Sequence, residues 1–186
     1  MTFAEVVNRV LPVFSEQEKR QDAVLQLSRE IVRDSARAIR AIHTGELDEC
    51  HAVVAGLELK MKKLKEIDEG FERISDSSYQ EYVEIRSLLA VFERKEIPDY
   101  EELEIPLVPY LNGVADCVGE LRRAIQISIK EGKKDDAEYY FQRLNDVYDN
   151  LMLLKFSSSL VGNLKRRQDV ARSQVEQARG EMLKFA

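Results

Sequence analysis

Residues 27–43, LSREIVRDSARAIRAIH, decide the fold, because within this stretch apolar and basic residues separate with the period of an α-helix. Leu27, Ile31, Ala38 and Ile42, preceded by Val24, mark a buried side. Arg29, Arg33, Arg37 and Arg40 follow one another at spacings of four, four and three, so they form a single stripe. No part of the chain alternates with period two, and no strand is expected. Ser15, with Glu18 three residues on, reads as the N-cap of this long helix, and Gly45 after His43 reads as its stop. A short helix over about 3–12 precedes it.

The same reading extends toward the C-terminus. A third helix is predicted from about Glu46 to Asp68 on Val53, Val54, Leu57, Met61 and Leu64. GFERISDSS (70–78) reads as a connection with capping serines, and a fourth helix follows over about 78–95. Pro98, Pro106 and Pro109 bracket an acidic link. Leu111, Val114, Val118, Leu121 and Ile125 place a fifth helix that stops near Gly132, and two more run over about 133–155 and 158–183. Seven helices with short connections and no internal repeat predict an all-α, antiparallel bundle, a single domain over 1–186.

Composition narrows the function classes. The chain has 186 residues, of which 44% are apolar and 33% charged, with 8 Gly and 4 Pro, so one ordinary hydrophobic core is expected. No stretch approaches the roughly 18–20 apolar residues of a membrane span, and the start, MTFAEVVNRV, lacks a basic region followed by an apolar signal core. A soluble, cytoplasmic protein that does not engage membranes is expected. Cys50 and Cys117 fit neither a disulfide framework nor a zinc knuckle and read as reduced thiols. The net charge of −6 argues against indiscriminate adhesion to nucleic acid, but sign is segregated along the chain. Residues 93–104 carry six acids against two bases, whereas the last thirty or so residues are basic.

Two pairs of acids stand out by their setting. Glu81 and Glu84 share a face of the fourth helix, a face that continues through Leu88 and Val91. Asp116 and Glu120 share a face of the fifth helix, with Gly113 one turn before Asp116 and Gly119 beside Glu120. Helix-interior glycines cost about 1 kcal/mol each, so close approach by another backbone or a ligand is a reason to have them. Four hard oxygen donors from two helices could gather to hold one or two Mg²⁺ or Mn²⁺ ions, which polarise a phosphoryl group and activate water. With 34 acids in the chain, pairs at this spacing also arise as plain solvated faces. His43 reads as a C-terminal residue interacting with the helix dipole, and His43 and His51 have no acid at ligand spacing. No phosphate-binding glycine loop and no nucleophile motif is present.

The arginine stripe could track phosphates, or could be an exposed face balanced by Glu30 and Asp34. Lys165, Arg166, Arg167 and Arg172 make a second candidate strip with the same two readings. Tyr139, Tyr140 and Phe141 read as core rather than as stacking platforms for bases.

At YQEYVE (79–84) and GVADCVGELR (113–122), the sequence resembles the translin/Trax family, and its Trax branch in particular. The resemblance extends, in the family's order, to residues 27–43 and to FQRLNDVYDNLMLL (141–154), and so covers nearly the whole chain. It implies a seven-helix fold and assembly into closed, largely octameric shells with RNA inside. For this chain it implies a homo-oligomer. In Trax the acids of the two matched segments form the site of a metal-dependent endoribonuclease. The resemblance therefore places the catalytic and metal-binding roles, with Mg²⁺ or Mn²⁺, on Glu81, Glu84, Asp116 and Glu120. Glu120 would be a further ligand or a carboxylate behind the ligands. RNA, single-stranded or as a nicked duplex, is the implied substrate, with Arg29, Arg33, Arg37, Arg40, Lys165 and Arg166 as its contacts and single-stranded DNA as another possible ligand. The alternative is a non-catalytic, translin-type assembly that only binds single-stranded RNA or DNA. Four close carboxylates repel one another unless a cation binds or one stays protonated, so metal should stabilise the fold. Eukaryotic Trax has extra terminal and loop segments absent here, and smaller, less basic residues where Ile85 and Arg86 stand. IKEGKKDD (129–136) matches poorly the translin segment proposed to bind GTP, so no nucleotide site is assigned.

Overall fold

Thr2 starts the first helix. Its hydroxyl accepts the Glu5 N–H at 3.3 Å while the Glu5 carboxylate accepts the Thr2 N–H at 2.7 Å, a capping box that nucleates α1 (Phe3–Thr44). The computed structural model describes residues 1–185. Its other helices are α2 (Leu47–Ile67), α3 (Glu72–Phe92), α4 (Leu107–Glu131), α5 (Lys134–Leu151), α6 (Ser158–Val161) and α7 (Leu164–Phe185), and no strand occurs among the described residues.

The all-α fold is as expected, but the seven helices are not the seven drawn from the sequence. The break predicted at Ser15 does not occur. Pro12 removes one backbone donor, no glycine lies nearby, and α1 runs through as a single helix of 42 residues. At the other end the helix expected over 158–183 is two, because Gly162 turns the chain at φ 55° and ψ −126° between α6 and α7. GFERISDSS is not a connection either: α3 begins at Glu72, and Ser75 and Ser78 are buried within it. The Ser75 hydroxyl donates to the Asp68 carboxylate at 2.6 Å and the Tyr79 hydroxyl does so at 2.7 Å, which is why polar residues sit on an inward face. α5 stops at Leu151 rather than 155, where the buried Gln168 amide donates to the Leu151 and Leu154 carbonyls at 2.6 and 3.1 Å. Gly45 and Gly132 close α1 and α4 in the left-handed conformation, as their positions predicted.

α1 and α2, joined by two residues and packed along each other, form an antiparallel hairpin. α1 also packs on α3, α3 on α4, and α4 on both α5 and α7, so α3 and α4 lie at the centre. Ile31, Ile42, Leu57, Leu64, Val83, Leu88, Leu121, Ile125, Leu144 and Leu164 fill the core with almost no exposure. Tyr139, Tyr140 and Phe141 pack against it, as expected. No residue before Val24 is buried, and the first part of α1 exposes Phe3, Leu11, Val13 and Phe14 by 81, 60, 55 and 63%. Both cysteines are buried and free. No helix among the described residues is long and apolar enough to cross a membrane.

Of the two glycines singled out in α4, only Gly113 sits at a close approach. A β-carbon there would collide with the Gln80 carbonyl oxygen and lie 2.7 Å from Val83 Cβ, whereas one at Gly119 would meet nothing within 4 Å. Gly113→Ala should therefore lower stability by about 1–3 kcal/mol. Gly119→Ala should leave it unchanged or raise it by up to about 1 kcal/mol. Urea unfolding of the two variants checks this, and equal effects would contradict it.

Candidate functional site

The contact at Gly113 sets α3 against α4 one turn before Glu84 on one helix and one turn before Asp116 on the other. The phase of each helix is fixed by its core residues. In α3, Tyr82, Val83, Ile85 and Leu88 point inward, leaving Glu81 and Glu84 half-buried at the edge of the packed surface. In α4, Ala115, Cys117, Val118 and Leu121 do the same for Asp116 and Glu120. All four predicted acids thus face the α3–α4 seam, where Glu84 feels the charges of the other three.

Their surroundings divide them. Glu84 is pushed up to about 8, first by burial and then by the charges of Glu81, Asp116 and Glu120, with Arg167 opposing. Glu81 is raised by burial and by Asp116 and Glu120. Burial also raises Asp116, against the pull of Arg167. Glu120 goes the other way: its bond with His43 holds it below the usual carboxylate range, with Arg123 adding to the effect. Among the described residues, Glu81 and Glu84 have no hydrogen-bond donor, while Asp116 and Glu120 each have one from another helix. Cys117 is fully buried between the acids, and burial together with Glu84, Glu120 and Asp116 raises its thiol well above the ordinary range, so it is no nucleophile at neutral pH.

For two residues, both singled out in the sequence, the role in the site was missed. His43 does not serve the end of its own helix. Its side chain is 2% exposed and its Nε2–H donates to Glu120 Oε2 at 2.7 Å, while Nδ1 is buried without a partner. His51, also expected to lack an acid, lies 3.1 Å from Glu93. Arg167 is the second. It turns away from the exposed Lys165 and Arg166, places Nη2 3.1 Å from Asp116 Oδ2 and also donates to Gln80 Oε1. The helical phase held a signal for both, since His43 is one turn beyond the buried Ile39 and Arg167 is one turn from the buried Leu164 and Ala171. Their partners lie on other helices, beyond any local pattern.

Asp116 and Glu120 face Arg167 and His43, and no three His, Cys, Asp or Glu side chains among the described residues converge tightly as ligands. The chemistry of the donor set nonetheless suits a hard divalent cation: carboxylate oxygens only, mutually repelling, two of them without a donor. Glu81, Glu84 and Asp116 are the groups that could hold it, with Glu120 beside them.

The basic stripe on α1 is exposed, but its balancing acids are not those expected. Glu30 and Asp34 both grip Lys60 of α2, at 3.0 and 2.8 Å, and only Arg37 is paired, with Glu49 at 3.1 Å. Arg29, Arg33 and Arg40, and likewise Lys165 and Arg166, have no ion-pair partner among the described residues. Arg172 leaves the strip to donate to the Tyr148 hydroxyl at 3.3 Å. Ile85 is fully buried, and Arg86 is drawn aside by Glu58 at 2.5 Å and the Tyr82 hydroxyl at 2.8 Å.

The Translin family model matches residues 19–179. An uncharacterized protein of Methanocaldococcus jannaschii is 32% identical over 183 residues, spanning 96% of this chain and 82% of that protein. Among solved structures, AfC3PO in complex with duplex RNA superposes with a TM-score of 0.89 at 26% identity, over 96% of this chain and 95% of that one. AfC3PO alone gives 0.86 at 27% identity, over 96% of both chains. Apo-NeC3PO, at 19% identity and a TM-score of 0.89 over 97% of both chains, is similar in fold.

The raised Glu84 carboxyl has a measurable consequence in metal-free protein. The unfolded chain loses this proton near the ordinary value of 4.5 and the folded chain near 8, so between these values rising pH favours the unfolded state. Glu84→Gln should melt about 3–6 °C above the wild type at pH 8 in EDTA, with the difference closing by pH 5. Thermal unfolding across that range checks it; a difference that does not shrink as pH falls would contradict the assignment.

Proposed function

Because this chain belongs to the Translin family, we propose that it is an RNA-binding subunit of a self-assembling complex and hydrolyses RNA phosphodiester bonds with a divalent cation. Glu81, Glu84 and Asp116 would hold that cation, with Glu120 beside them. The observation that carries this reading is the α3–α4 seam, which gathers four carboxyl groups and in which burial, and then the neighbouring acids, raise Glu84 to about 8. Such crowding is unfavourable for a protein that needs only a solvated face, and a bound cation relieves it.

RNA as the ligand is supported by the likeness to AfC3PO, solved with duplex RNA, and by the unpaired arginines of α1 with Lys165 and Arg166 of α7. These bases sit on helices that border the acid-bearing pair, α1 against α3 and α7 against α4. Backbone phosphates would lie along them, with affinity that falls steeply with salt. Self-association is supported by the unburied apolar residues of the first half of α1. A homo-octamer would make every subunit a catalytic one.

When bound, Mg²⁺ or Mn²⁺ supplies the positive charge that polarises a phosphoryl group and lowers the pKa of water. The chain's own groups do the rest. Glu81, Glu84 and Asp116 fix where that charge sits. Glu120, kept ionised by His43 and Arg123, is the carboxylate able to accept a hydrogen bond from an attacking water at neutral pH. His43 sets the direction of Glu120 from beneath. The second reading, a translin-type assembly that binds single-stranded RNA or DNA without cleaving it, is favoured by Asp116 and Glu120 being engaged by Arg167 and His43.

Labelled RNA, single-stranded and nicked duplex, incubated with Mg²⁺, Mn²⁺ or EDTA separates the two readings. Cleavage that requires the metal is expected, reduced by at least about 100-fold in Glu81→Gln and Asp116→Asn while RNA affinity is kept or raised. A salt-sensitive binding shift with intact RNA in every lane would favour the binder instead.

A further inference from the structure

We propose that Arg167 is the phosphate-gripping residue of the site, sharing Asp116 with the divalent cation and donating its remaining N–H groups to the non-bridging oxygens of the RNA phosphate. The inference rests on the nuclease reading above and assigns it a residue outside the acid set.

Three observations lead to it. The first is placement. In the basic run of α7, Lys165 and Arg166 face solvent, whereas Arg167 lies on the helix face of the buried Leu164, Gln168 and Ala171 and is carried into the α3–α4 seam. The second is unused capacity. Nη2 serves Asp116 and Gln80, while Nη1 has no acceptor among the described residues and the side chain stays 24% exposed. A guanidinium N–H without a protein acceptor is open to a phosphate oxygen, the acceptor its planar fork fits best. The third is charge. Four carboxylates outweigh one divalent cation, and a phosphate brings a further negative charge to the same place. Arg167 brings a positive charge into direct contact with this acid set, with Nη2 3.1 Å from Asp116 Oδ2. The guanidinium halves the negative charge that a phosphate meets once one divalent cation is bound.

A shared Asp116 also means that the guanidinium and the metal repel each other across one carboxylate. Removing the guanidinium should therefore move two readouts in opposite directions, which loss of a merely structural contact would not do. In Arg167→Gln, Mn²⁺ titrated calorimetrically without RNA should bind about 3–10-fold more tightly. RNA cleavage at saturating Mn²⁺ should fall about 100-fold, mostly in kcat. RNA affinity in EDTA, set by the exposed strips, should change less than 2-fold, roughly. Arg167→Lys keeps the charge that balances the acids and serves if the Gln variant does not fold. It should restore the weaker Mn²⁺ binding but leave cleavage about 10-fold below wild type, because a lysine cannot span Asp116 and a phosphate as a fork does. A wild type that cleaves RNA while Arg167→Gln cleaves as fast, or while its Mn²⁺ affinity is unchanged or weaker, overturns the role of Arg167 and leaves the nuclease reading in place. A wild type that does not cleave RNA, whether or not it binds Mn²⁺, overturns both.

Discussion

The missing side chain at Gly113 lets the backbone of α4 rest against the Gln80 carbonyl and Val83 of α3, and the functional arrangement depends on that contact. The two helices lie at the centre of the bundle, each packed on further helices that hold its rotation. Close approach at one turn forces the acids of the next turn together: Glu81 and Glu84 from one side, Asp116 and Glu120 from the other. A larger residue at 113 would open the seam and let the carboxylates relax apart into water. The packing of an apolar core thereby holds four carboxyl groups where, fully ionised, they would repel one another.

The bundle compensates them unequally. Glu120 takes a hydrogen bond from His43 at the end of α1, and Asp116 takes an ion pair from Arg167 near the start of α7, so the first and last long helices each reach into the central seam with one polar group. Glu81 and Glu84 receive nothing comparable, and Glu84 answers by holding its proton to about pH 8. The result is a site with a half-met demand for positive charge. In the function proposed above, a divalent cation would answer that demand, and the Arg167 guanidinium beside Asp116 would let a phosphate follow.

Much of this was legible in the residues, and the limits have physical causes. Helical phase alone separated core from surface in residues 24–42 and again in 111–125, because a buried stripe repeats locally. The acid pairs were visible for the same reason, and the family's motifs then singled them out from other acids at equal spacing. Helix ends were read less well. Ser15 has the form of a cap but no partner that would end the preceding helix, and Ser75 and Ser78 look like turn residues until the Asp68 carboxylate and the Ser28 carbonyl are brought alongside. Gly119 had the same local signal as Gly113, yet only one faces a neighbouring helix. His43 and Arg167 escaped because a pairing across 77 or about 50 residues leaves no trace in spacing.

The central claim is that the α3–α4 seam is a divalent cation site, and anomalous diffraction from crystals of the protein grown with Mn²⁺ tests it most directly. A manganese peak within bonding distance of Glu81, Glu84 and Asp116 is expected, with Glu120 still held by His43. Anomalous density only elsewhere on the molecule, with the four carboxylates unmoved at saturating Mn²⁺, would contradict it.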